Sequence, residues 1–244
     1  MDLSRLPVEG GVRQRGEQVT RLETFVDAAF AFAVTLLVVS FNEMPDSFAE
    51  LYDALRRLPA FLAGFAILAL FWHGHHRFSR NFGLEDGMVV FLSMALVAAT
   101  MFYVYPLRMV MSAAMVFMTG GWAPSEFKVA NFNEFRAIFV IYGVGFAVLA
   151  ALIASLNAQA LRKADELRLD AAERLAARAE VASNLVLIGC SVLSITIALL
   201  IPPDRGWMQS LPGLSYALLG VFMPAISIYY GRRVQMLAAQ RATA

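Results

Sequence analysis

Residues 21–41 read RLETFVDAAFAFAVTLLVVSF, and the way this stretch is accommodated decides the fold. It opens on Arg21, carries a carboxylate at Asp27, and then runs fourteen residues to Phe41 without a charge. At 100° per residue, Ala28, Phe32, Thr35, Leu36 and Val39 share one helical face, apolar but for a single hydroxyl. Phe30, Val34, Leu37 and Phe41 make the other side apolar throughout. A helix without a wet face belongs in lipid or in a core. An acid just inside such a helix is expensive to bury and calls for a partner.

The whole chain repeats this character. Of 244 residues, 59% are hydrophobic and 16% charged, with a mean hydropathy of +0.62. Soluble domains carry about 25% charge. The apolar excess falls in blocks of about twenty residues, the length that crosses a hydrocarbon layer of about 30 Å. Six spans follow: about 24–41, 58–73, 88–105 (with apolar residues resuming after Pro106 to Met118), 135–156, 181–201 and 211–230. The expected fold class is all-α, a polytopic membrane protein with six transmembrane helices. Residues 1–20 form an N-terminal arm, 21–231 the six-helix domain and 232–244 a tail. The arm has no apolar h-region and is not a cleavable signal, so the first helix directs insertion.

Charge sets the orientation. Fourteen of the twenty Lys and Arg residues fall on the side that holds both termini, which makes the termini cytoplasmic. A net charge of +1 implies no nucleic-acid partner. Cys190, the single cysteine, lies in an apolar run and reads as core packing. Leu161 to Glu180 is strongly helix-forming, with Asp170 and Arg174 one turn apart, and reads as solvated extensions of spans four and five. Gly120-Gly121, Pro124 and Asn131 mark a long outer loop across 106–134.

Two constellations carry the chemistry: Arg21, Phe25 and Asp27 at the start of span one, and Trp72, His73, His75, His76, Arg77 and Phe78 at the end of span two. The topology brings both to one surface. Arg21 and Asp27 stand about 9 Å and roughly 240° apart along their helix, so each seeks partners on a neighbour. One reading is an inter-helix clamp. The sharper one is a pH-sensitive gate, because histidines change charge near neutrality. A metal site is not expected: His75 and His76 point in different directions, and no Cys or second acid supports them.

These residues resemble the transmembrane protein 175 family of potassium channels. Arg21, Phe25 and Asp27 match its first-span motif, and Trp72, His75, His76, Arg77 and Phe78 match the motif after its second. The resemblance implies one six-helix repeat per chain, a homotetramer, potassium as the permeant ion, and a pore lined by four first helices. It also implies that Phe32 stands at the constriction, Thr35 at a pore hydroxyl, and Leu36 and Val39 at further apolar rings. Arg21, Asp27, Trp72, His75, His76 and Arg77 would be the structural network. Val26 replaces the family's serine, and Phe32 is bulkier than its usual Ile or Leu.

Tyr142-Gly143-Val144-Gly145-Phe146 carries the letters of a carbonyl selectivity filter but lies in the middle of span four, where glycines permit close helix packing. Two other classes fit the residues less well. An enzyme or proton-coupled carrier needs several acids facing one cavity, and spans two to six hold none. A non-conducting scaffold would leave Phe32 as a permanent plug. The expectation is a leak-type potassium channel in the cell's inner membrane, without a cofactor.

Overall fold

The computed structural model describes residues 5–38, 46–125, 127, 129–202 and 206–243. Val39 and Phe41 of the opening stretch lie outside the described residues. Five long helices come first: α1 (Arg21–Val38), α2 (Phe48–Phe82), α3 (Gly87–Met118), α4 (Phe132–Arg162) and α5 (Ala171–Leu200). The sixth span is composite. A 3-10 turn (Gly206–Ser210), α6 (Leu211–Leu214), a second 3-10 turn (Ser215–Leu218) and α7 (Leu219–Thr243) run in succession.

Local chemistry explains the boundaries. Ser47, Asp86, Asn131 and Asp170 each cap a helix by accepting the backbone N–H three residues on. Glu173 completes a capping box with Asp170. The C-cap of α2 is Gly83 at φ 53°, a left-handed position suited to glycine. Pro106 lies inside α3, so the apolar residues after it continue the same helix to Met118, and the loop expected from 106 begins only at Thr119. The α4–α5 connection is a turn across 163–170, with α4 and α5 extending to meet it. Asp170 sits outside α5 as its cap, not inside the helix one turn from Arg174. That guanidinium reaches the Leu169 carbonyl and Asp165 instead.

One element escaped the sequence reading. Val8–Glu9 and Val12–Arg13 pair as a two-residue antiparallel ribbon, labelled β1 and β2. Gly10 and Gly11, at φ 60° and 90°, form its turn, as a two-residue hairpin requires.

The helices pack as α1 on α2 and α3, α3 on α4, α4 on α5, and α5 on α7. The core includes Phe71, Leu96, Leu107, Phe146, Leu149 and Ile153, each at most 2% exposed. Tyr142 to Phe146 lie within unbroken α4. A Cβ on Gly145 would stand 2.5 Å from the Tyr103 ring, and one on Gly143 2.7 Å from Ile195. These glycines are where neighbouring helices touch α4. Gly145→Ala should therefore lower thermal stability by about 1–3 kcal/mol through overpacking. An unchanged melting curve in detergent would contradict that contact.

Five helical segments are long and apolar enough to cross a membrane: α2, α3, α4, α5 and Met208–Gln240. The described part of α1 has 18 residues that include Arg21, Glu23 and Asp27, and it falls outside that set by charge. The chain is an all-α, multi-pass membrane protein.

Candidate pore helix and its anchoring network

Two faces of α1 differ sharply. Val26, Phe30, Ala33 and Leu37 are buried against the core. Phe25, Ala28, Phe32 and Thr35 form an exposed stripe at three- and four-residue spacing, with Phe32 57% and Phe25 51% exposed. Leu36 is half-buried at the border of that stripe and touches the core. The Thr35 hydroxyl donates to the Ala31 carbonyl at 3.1 Å. Val39, the last residue of the predicted face, lies outside the described residues.

One edge of α1 is tied to α2. Trp72 Nε1–H donates to Asp27 Oδ1 at 2.8 Å. The Trp72 ring stacks on His76, with centroids 5.3 Å apart and planes 17° from parallel. His76 Nδ1 lies 3.3 Å from Glu23 Oε1. Two acids four residues apart on α1 thus meet two rings four residues apart on α2, a ladder that both helical repeats allow. Glu23 is buried at 4% exposure, and the sequence reading missed it. Its signal was available: it stands one turn before Asp27, on the same edge.

The other residues of the predicted network go elsewhere. His75 is buried, and its Nε2 lies 3.0 Å from Ser93 Oγ, which joins α2 to α3. Arg77 pairs with Glu180 of α5 at 2.9 Å. Arg21 is exposed and has no hydrogen-bond or ion-pair partner among the described residues. Phe25 is exposed beside it. Only Asp27, Trp72 and His76 of the predicted set meet within one chain.

This network lies within one chain and is open to test by melting. Trp72→Phe keeps the ring and removes the donor, leaving Asp27 short of a hydrogen bond. A loss of about 1–3 kcal/mol in stability is expected. A melting temperature equal to wild type would show that Asp27 does not depend on the indole.

A cavity of about 720 Å³ opens between α2, α5 and α7, with Phe71, His76, Arg77, Asn184 and Tyr230 in its wall. None of its lining residues belongs to α1. It is not a passage along the exposed stripe.

The fold and this site define a multi-pass helical membrane protein whose first helix carries charge at one end and is packed on one side only. Comparison with known proteins finds potassium channels among those it resembles. The family described as endosomal/lysosomal potassium channel TMEM175 matches residues 21–103, which include α1, α2 and half of α3. A potassium channel of Marivirga tractuosa is 29% identical over 223 residues, covering 89% of this chain and 88% of that one. The crystal structure of a variant of the potassium channel MtTMEM175, in complex with a nanobody–MBP fusion protein, superposes with a TM-score of 0.76. It is 26% identical and covers 95% of this chain and 100% of that one. Over residues 21–103 the chain is similar to the TMEM175 family, and over most of its length to these potassium channels.

Proposed function

We propose that the chain is one subunit of a homotetrameric, leak-type potassium channel. Four copies of α1 surround the central axis and turn Ala28, Phe32, Thr35, Leu36 and Val39 toward it. The observation that carries this reading is the uncovered stripe. A helix packed along its reverse side leaves Ala28, Phe32 and Thr35 exposed among the described residues. Such a helix faces lipid or further copies of itself. Arg21, Glu23 and Asp27 at its start disfavour lipid. Arg21, which lacks a partner among the described residues, is free to meet a neighbouring copy. The potassium channels among the relatives supply the ion.

Four Phe32 rings around a narrow axis leave too little polar lining to hold water, and such a constriction closes by dewetting. An ion crossing it sheds part of its hydration. Potassium holds water less tightly than sodium, so the ring favours potassium. The tie to α2 keeps this face in register. Asp27 and Phe32 are roughly 140° apart around the helix, so holding the Asp27 edge keeps Phe32 from rotating away from the axis. No carbonyl filter takes part, because Tyr142 to Phe146 are helical.

The distribution of Lys and Arg supports an orientation with both termini and the α4–α5 turn in the cytoplasm. The membrane is then the cell's inner membrane. Light scattering in detergent and potassium flux into liposomes test the reading together. Four copies with flux sustain it, and a monomer, or a tetramer that passes no potassium, ends it.

A further inference from the structure

The N-terminal arm is a built structure. Val12 is buried with Ala172 of α5 and Val234 of α7. Gln14 is buried and donates to Asn81 of α2 at 3.0 Å. The Gly16 N–H donates to the Arg80 carbonyl at 3.0 Å, and the Arg80 guanidinium returns a hydrogen bond to the Gly16 carbonyl. A Cβ on Gly16 would collide with the Ser79 carbonyl, so backbone lies directly against backbone here.

At the centre of this contact stands Glu173, whose side chain is 0% exposed. Arg13 Nε and Nη2 donate to its two oxygens at 2.8 and 3.0 Å. Arg15 Nη1 and Nη2 do the same at 3.1 and 2.8 Å. The Arg13 backbone N–H adds a fifth donor at 3.2 Å, and Arg13 also reaches Asp170 at 2.9 Å. Two forked guanidinium pairs on one carboxylate fix direction as well as distance. Only Glu17, Gln18 and Val19, all exposed, separate this anchor from Thr20, which caps α1. The four Cα steps from Gly16 to Thr20 reach at most about 14 Å. The start of α1 is thus on a short tether whose far end is clamped to α2, α5 and α7.

We infer that Glu173 is a positioning residue for ion conduction: through the docked arm it holds the N-terminal end of α1, and so the lie of the Phe32 face, against the rest of the subunit. The inference rests on the pore reading above.

The experiment uses the full-length protein. Trypsin cleavage at Arg13 and Arg15 reports docking, and potassium and sodium flux into liposomes reports conduction. Glu173→Gln should accelerate cleavage and lower the potassium-to-sodium flux ratio by about threefold or more, the size of a coupling carried at a distance. Glu166→Gln, which alters an exposed acid on the adjoining α4–α5 turn, should change neither. Three glycines inserted between Gln18 and Val19 should leave the arm protected yet lower the ratio as Glu173→Gln does. That outcome separates positioning from loss of structure. Arg15→Gln, read by cleavage at Arg13 alone, serves in place of Glu173→Gln if the latter does not assemble. Faster cleavage with an unchanged flux ratio overturns the inference, as does cleavage unchanged by Glu173→Gln. A wild-type protein without potassium flux overturns the pore reading and the positioning role with it, while the cleavage data still judge the docking.

Discussion

Phe32→Ala should raise ion flux through reconstituted protein by about tenfold, the equivalent of about 1.4 kcal/mol off the barrier to crossing, and weaken the preference for potassium over sodium. In the proposed tetramer four rings leave the axis at once, and the widened, wetter ring no longer demands dehydration. Within the subunit the change should be nearly silent. Phe32 is 57% exposed, so truncation opens no cavity in the core. Phe30, two residues away and 4% exposed, makes the contrast. Phe30→Ala should cost about 3–5 kcal/mol of stability. Liposome flux and detergent melting, read on both variants, separate the two faces of α1. Equal flux from Phe32→Ala and wild type would remove Phe32 from the constriction.

The second large effect concerns acid. Burial pushes the Glu173 carboxyl up, but hydrogen bonds from Arg13, Arg15 and the Asp170 backbone, with the charge of Arg15, outweigh it and hold the group at about 2 against an ordinary 4.5. Glu173 stands eight residues before the apolar run that begins at Val181, on the polar start of α5. A carboxylate lowered in the folded state stabilises it fully above the ordinary value, by about 3 kcal/mol. That contribution fades as pH falls from 4.5 through 2. Hydrogen exchange at the Arg13 and Gly16 amides measures it. Protection should be the same at pH 7 and pH 5, and should decline only toward pH 2–3. Loss of protection already at pH 5 would show that the arm is not held by Glu173.

Much of this arrangement was legible in the residues themselves. The 100° period separated the Phe32 side of α1 from the Phe30 side, because burial against a core follows the helical repeat. Asp27 announced a partner because an acid cannot sit bare beside apolar helices, and Trp72 supplies it. His75 and Arg77 were harder to assign. A histidine pair on one helix splits between neighbours, and which neighbour depends on how α3 and α5 pack, information spread across the chain. Glu23 was overlooked because it reads as ordinary charge ahead of a span. The arm was overlooked for a related reason: two-residue strands show no alternation, and only Gly10-Gly11 betrays the turn. Its lock on Glu173 joins residues 160 apart, a distance no local pattern spans.

The hydroxyl of Thr35 has a consequence for the sign of the charge that passes. Its hydrogen is committed to the Ala31 carbonyl, so what it offers outward is oxygen lone pairs alone. In the proposed tetramer, four such acceptors one turn beyond the Phe32 ring would make a collar that welcomes a cation and gives chloride nothing to bind. Valence discrimination would then reside in a side chain that carries no charge.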